Sequence, residues 1–220
     1  MSDNQTTEIR HAIGAAGSLA LRNVSGRMRL VGGDVDEAIV RVTAHDGKAP
    51  RLNVERSDGG LLVEPERNGV GFRIQIGDRH ELDFDVELPR GARLDLKTVS
   101  SDVDARGLEG DQRYKTVSGD VRLAGGAGRV SALSVSGDVR VHGAGSLELD
   151  AATTSGDVNV EATLLGQLGV RSVSGDVRVS GRLATGPRHS VETVSGDLLL
   201  DVDGGVSVDS SRALDFARKS

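Results

Sequence analysis

The 220-residue chain contains no cysteine, so a disulfide framework, a thiolate metal site and a cysteine nucleophile are all excluded. It contains no tryptophan, and aromatic residues make up only 2% of it. That scarcity rules out a core of interlocking rings. It also argues against a polysaccharide-cleaving enzyme, which needs aromatic platforms beside paired carboxylates. No stretch approaches the roughly 20 consecutive apolar residues of a membrane-spanning helix, so no membrane span is expected. Between Met1 and Asn23 no basic leader precedes an apolar run; no signal peptide is read, and the cytoplasm is the expected compartment. An excess of positive charge is missing as well. The net charge is −6 with both signs interspersed, so binding to nucleic acid, which calls for a basic face, is not expected.

What the chain has in abundance is glycine, at 30 residues, beside valine, leucine and alanine. These small residues are organised by one recurring stretch, Thr116-Val117-Ser118-Gly119-Asp120-Val121-Arg122-Leu123. Copies are centred on Gly26, Ser101, Gly119, Gly137, Gly156, Gly175 and Gly196, with serine standing in for glycine at the second. From Ser101 onward the steps are 18, 18, 19, 19 and 21 residues. The first copy stands 75 residues ahead of its nearest sibling.

Aligned on the glycine, the copies sort into columns. Two residues after it stand Val103, Val121, Val139, Val158, Val177 and Leu198; four after it stand Ala105, Leu123, Val141, Val160, Val179 and Leu200. Two before it stand Val99, Val117, Val135, Thr154, Val173 and Val194, and five before it Leu96, Tyr114, Ala132, Ala151, Val170 and Val191. Strand side chains alternate between faces, so the glycine and the columns two before, two after and four after are expected to point inward together. The odd step between the columns five and two before predicts a bulge near Lys97-Thr98 and Lys115-Thr116. Further bends are expected at the glycine and in Gly-rich runs such as Ala124 to Gly128.

Three bends per repeat describe one turn of an all-β, single-stranded parallel β-helix or solenoid with turns of 18–21 residues and about three short sides. Right-handed winding is the expectation from the general rule for parallel crossovers. Stacked at ~4.8 Å, the steps from Ser101 to Gly196 would span on the order of 25 Å. A propeller needs a longer repeat, a leucine-rich repeat carries a different consensus, and a sandwich of V-S-G-D hairpins fits less well. The expected organisation is a flexible N-terminus over 1–16, one solenoid domain over 17–208 and a cap helix or tail over 209–220. Within the solenoid, 31–90 reads as an antiparallel β insertion, from its alternating runs and turns such as Ser57-Asp58-Gly59-Gly60, and 91–208 as the regular repeats.

The columns also contain the candidate chemistry. Asp102, Asp120, Asp138, Asp157, Asp176 and Asp197 would lie ~5 Å apart, close enough to repel unless compensated. Arg122, Arg140 and Arg178 follow two residues later and can compensate, so the aspartates read as turn caps paired with arginines. A calcium ladder is the alternative, though one aspartate per turn is sparse for it. The serines preceding the glycine and the threonines and serines at Thr98, Thr116, Ser134, Thr153, Ser172 and Thr193 read as hydroxyl ladders; a surface array of them could bind ice or a glycan. The five histidines, His11, His45, His80, His142 and His189, have no metal-ligand spacing. Gly69-Val70-Gly71 lacks the context of a phosphate loop, and Glu81, Asp83, Asp85 and Glu87 read as a solvated strand face. No catalytic, cofactor-binding or metal-ligating residue is assigned, no cofactor is expected, and the chain is read as not being an enzyme.

The repeated [TS]-V-S-G-D-V unit, the early Asn23-Val24-Ser25-Gly26 copy and the run Val86-Glu87-Leu88-Pro89-Arg90-Gly91 resemble the putative-adhesin family of bacterial β-strand-repeat domains of unknown function. The resemblance implies a β-solenoid that binds a protein or cell-envelope component, as a sensor or accessory domain, with no catalytic residues. The alternative is a self-assembling scaffold in which solenoids stack end to end as a homo-oligomer, in the manner of bactofilins.

Overall fold

The computed structural model describes residues 4–66 and 81–203. Residues 67–80 of the expected insertion, the end of the expected solenoid domain from 204 to 208 and the cap helix or tail at 209–220 lie outside the described residues. Among those described, every regular element is a strand: β1 (Gln5–Ala12), β2 (Ser18–Arg22), β3 (Ser25–Gly33), β4 (Glu37–Ala44), β5 (Leu52–Ser57), β6 (Gly60–Pro65), β7 (Leu82–Pro89), β8 (Arg93–Lys97), β9 (Ser100–Arg106), β10 (Gln112–Lys115), β11 (Val121–Leu133), β12 (Val139–Ser155), β13 (Val158–Ser174), β14 (Val177–Leu183), β15 (Ser190–Ser195) and β16 (Leu198–Asp203).

The repeats stack in parallel, as their spacing requires. Val121 lies opposite Val103 and Val139, and Val158 opposite Val139 and Val177, so the motif is in register from turn to turn. Each turn climbs one face, turns a tight corner at Val-Ser-Gly-Asp, descends a second face and returns through a Gly-rich bend. In β11, β12 and β13 the strand continues through that bend, with bulges around Ala124 to Gly128, Gly143 to Leu147 and Ala162 to Leu165. Parallel strands bury one face of every turn against the other, and the valine, leucine and alanine columns two and four after the glycine form that core. Leu108, Leu147, Leu165 and Leu183 fill it from the bend side.

Three expectations are corrected. The first concerns 31–90, which is more than an antiparallel insertion. The turn made by β2 and β3 pairs directly with β8 and β9, so Gly26 lies opposite Ser101 despite their distance in sequence. On its other side β2 pairs in parallel with β6, and β3 with β7. The first repeat is thus sandwiched, because Leu82, Phe84, Val86 and Leu88 alternate inward and extend the same core beside Met28 and Leu30. Within 31–90 only β4 and β5 run antiparallel, against β7 and β6.

The second correction is at the N-terminus. Residues 5 to 12 are not a flexible tail but strand β1, paired along its length with β4. Polar composition hid it, yet an edge strand needs few apolar contacts, and Ile9 and Ile13 supply them from buried positions. Glu8 is held by Arg10 at 2.7 Å and by Arg41 at 2.7 Å; these hydrogen bonds keep its carboxyl below the ordinary range.

The third correction is at the corner. The column two before the glycine points outward: Val117 is 46% exposed and Val135 48%. The column three before it, Thr98, Thr116, Ser134, Thr153 and Ser172, is buried instead. Alternation therefore runs unbroken through Lys97-Thr98 and Lys115-Thr116, and the break falls at Val-Ser, where both residues are exposed. A short hydroxyl side chain fits the narrow inside of the corner, and this threonine and serine column is not available as a surface for ice or glycan. The glycine is required by close approach. A Cβ on Gly137 would overlap the carbonyl oxygen of Gly119, and one on Gly156 that of Gly137.

Candidate functional site

The solenoid presents two strand-built surfaces. On the aspartate face, formed by β3, β7, β9, β14, β16 and the first halves of β11, β12 and β13, each corner aspartate joins two turns. The Asp138 amide donates to Asp120 Oδ1 at 3.1 Å, the Asp157 amide to Asp138 Oδ1 at 3.0 Å and the Asp176 amide to Asp157 Oδ1 at 2.9 Å. After the glycine bend these amides face the preceding turn, away from the strand ladder, and the carboxylate supplies the acceptor they need. The other oxygen takes an arginine: Arg122 on Asp120 at 2.6 Å, Arg140 on Asp138 at 2.7 Å and Arg178 on Asp176 at 3.0 Å. The reading of the aspartates as caps holds from Asp102 to Asp176, and that of arginine partners at Asp120, Asp138 and Asp176. Their oxygens are engaged in building the stack.

The same economy runs through the rest of this face. Asp83 accepts from the Arg27 amide at 2.8 Å and pairs with His45 at 3.0 Å. Arg106 holds Asp104 through two contacts of 2.8 Å, and its hydrogen bonds keep that carboxyl below the ordinary range. Asp85 has Arg29 at 3.4 Å. Of the histidines, His142 contacts Glu161, His11 bonds Ser57 O and His189 bonds Ala184 O, while His80 lies outside the described residues. Among the described residues no group of three or more His, Asp or Glu side chains is placed to hold a metal ion.

Two polar clusters inside the stack are structural. Asn23 donates to Leu82 O at 2.9 Å and to Ser101 Oγ at 3.2 Å, tying the first repeat to the turns on either side of it. Ser101 also accepts from Thr98 at 2.7 Å. Tyr114, wholly buried, donates to Gln112 at 2.8 Å, and burial pushes its phenol pKa upward.

The second surface, the arginine face, is built by β2, β8, β10, β15 and the second halves of β11, β12 and β13. Its character changes along the stack. The levels of β2, β8, β10 and the end of β11 present Arg22, Arg93, Lys97, Arg113, Lys115 and Arg129, against the carboxylates Asp95 and Asp111. Arg22 is fixed on Asp95 at 2.8 Å, Lys97 stands 3.7 Å from the same carboxylate, and Arg129 reaches Glu148 at 3.0 Å. Arg93, Arg113 and Lys115 have no ion-pair partner among the described residues. Between Arg93, Arg113 and Arg129, and beside Asp95 and Asp111, lies a hollow of about 390 Å³ whose floor is low because Ser18, Ala20 and Ser131 are small. In a chain of net charge −6, this is a local concentration of cations that the fold creates and does not neutralise.

None of these cations stood out in the sequence as a site. Arg22, Lys97 and Lys115 share the column four before the glycine and Arg93 and Arg129 the column eight before it, but neither column is basic at the level that follows Lys115 or Arg129. The available signal was to tabulate the outward columns level by level as the inward ones were tabulated.

The profile of Toastrack DUF4097 domains matches residues 17–213, nearly the whole chain. The chain belongs to the Toastrack family. Membership agrees with the β-strand-repeat family that the Val-Ser-Gly-Asp unit resembles. No curated protein matches the sequence. Among solved structures, this Toastrack chain is similar to a putative cell adhesion protein from Clostridium sporogenes, with 11% identity, 90% of this chain and 100% of that one covered, and a TM-score of 0.37. It is similar also to a putative adhesin from Parabacteroides distasonis, at 15% identity, 94% and 98% coverage and a TM-score of 0.35. A putative lipid binding protein from Parabacteroides distasonis matches at 12% identity, 94% and 97% coverage and a TM-score of 0.44. Among the described residues of the Toastrack chain, no helix is long and apolar enough to cross a membrane.

Proposed function

We propose that this Toastrack domain is a non-enzymatic interaction module: a rigid solenoid that binds a protein or cell-envelope component through its arginine face. The observation that supports this is the difference in charge satisfaction between the two surfaces. Every corner carboxylate from Asp102 to Asp176 caps the next turn, whereas Arg93 and Arg113, which line the hollow beside Asp95 and Asp111, and Lys115 on the same face have no ion-pair partner among the described residues. Unpaired cations on a stiff β-surface contribute little to folding and are suited to a partner of opposite charge. The test is capture of components from a cell-envelope extract by immobilised protein. Arg93→Glu combined with Arg113→Glu should abolish that capture, while Arg122→Glu on the other surface should not. Equal capture by all three proteins would overturn the assignment of the binding face.

The alternative, an end-to-end scaffold, has less support. Among the described residues, the last strands at one end are β15 and β16 and the outermost at the other are β1 and β5. Reversed twice through β4 and β7, β1 runs in the direction of β16, but β5 runs opposite to β15, so head-to-tail contact would continue the parallel ladder on one face only. A single monomer mass by light scattering at every concentration is expected, and concentration-dependent filaments would reverse the preference.

A further inference from the structure

Resting on the arginine face as the binding surface, we propose that its partner is an anionic phospholipid surface, on which the solenoid lies with that face down. The cations are not alone on the face. Because the strands continue in unbroken alternation to the corner, the outward column beside Arg22, Lys97 and Lys115 is the exposed valine column. At the same levels this column reads Val24, Val99, Val117 and Val135, with exposures of 57%, 45%, 46% and 48%. A flat surface with three columns of charge bordered by one apolar column has the two ingredients of an interfacial contact: cations for headgroup phosphates and aliphatic side chains for the boundary beneath them. Lys97 and Lys115 have stems long enough to keep their ammonium groups at headgroup level while the neighbouring valines approach the interface.

Two further features fix the occupant. The basic character is confined to the levels where β2, β8, β10 and the end of β11 lie; beyond them the same columns contain Glu148, Asp150 and Glu192 against Arg171. The opposite surface bears the aspartate column and would be repelled by an anionic bilayer, so a molecule of net charge −6 can settle in one orientation only. A soluble polyanion would engage the arginines but leave the valine column in water. The coincidence of the two columns therefore favours a membrane surface over an acidic chain.

The experiment is co-sedimentation of the full chain with vesicles of phosphatidylcholine alone or mixed with phosphatidylglycerol, alongside binding to heparin as a soluble polyanion. Binding should be confined to the mixed vesicles and fall about tenfold or more as salt is raised from low to physiological strength. Arg93→Glu with Arg113→Glu should abolish it. Val99→Ser with Val117→Ser, both outward positions, should weaken vesicle binding by roughly three- to tenfold, the scale of two half-exposed valines removed from water, and leave heparin binding unchanged. Thermal melts of both double variants within a few degrees of the parent would show that folding is intact. Failure to bind mixed vesicles would overturn the inference, as would vesicle binding indifferent to the valine changes and matched by heparin. If vesicles are not bound while capture from envelope extract still depends on Arg93 and Arg113, the lipid assignment falls and the interaction-module reading stands.

Discussion

The aspartate face and the arginine face are made by the same repeats, one strand further along each turn, yet they use charge in opposite ways. On the aspartate face charge is part of the architecture. The bend at each glycine turns the following amide out of the strand ladder, and a carboxylate from the turn before accepts it at about the same distance each time, from 2.9 to 3.1 Å between Asp102 and Asp197. On the arginine face the strand ladder is complete and the outward side chains have no backbone group to satisfy. Sequence is free to vary there, and it varies into a cluster of cations at one end of the stack. The glycine and aspartate repeated at the corner meet a backbone need, whereas the cations are confined to a few levels, where a partner can be accommodated.

That contrast can be broken most severely at the corner itself. Gly137→Ala would drive a methyl group into the Gly119 carbonyl, and we expect a loss of several kcal/mol or outright failure to fold, read by urea unfolding. Val139→Asp should be comparably severe, since the residue is fully buried and an aspartate there has no partner. The paired control is Val117→Asp: the outward position predicts a change under about 1 kcal/mol, and unfolding by this variant would restore the inward assignment made from the repeat alignment.

Removing a structural carboxylate should fall between these. Asp138→Ala deprives the Asp157 amide of its acceptor and leaves Arg140 only its longer contact to Asp120 at 3.3 Å; it should cost about 1–3 kcal/mol, with Asp138→Asn recovering part of it through the remaining carbonyl oxygen. Arg113→Glu on the other face should shift stability by no more than about 0.5 kcal/mol; a larger loss would mean that the arginine face is structural after all. The smallest effect concerns acid. The Asp104 carboxyl is held low by its hydrogen bonds to Arg106, so its contribution is present above the unfolded carboxylate range and fades as pH falls through the lowered folded value. Acid titration of Arg106→Ala should therefore show a shallower loss of stability than the parent at low pH.

The stack was legible because its determinants are local and repeated. A valine column two residues after the glycine, recurring every 18 to 21 residues, admits few structures other than one strand layer per turn, and it fixed the register of β9 through β16. The aspartate caps followed from the same logic. At the corner composition and geometry disagree: valine suggests the interior and threonine the surface. Parity decides otherwise: with Leu96 and Tyr114 inward, Thr98 and Thr116 two residues later must be inward too, and Val99 and Val117 outward.

By itself, then, the sequence determined the repeat, the stack, the inward columns after the glycine and the place of the corner, since each depends on residues a few positions apart. Tertiary structure alone decided that the first repeat lies between β6–β7 and β8–β9, that Gln5 to Ala12 closes the sheet edge, and that six cations from four levels share one surface. These depend on pairing between segments far apart in the chain, where loop entropy is nearly indifferent to length and only the fit of one buried column on the next selects the partner.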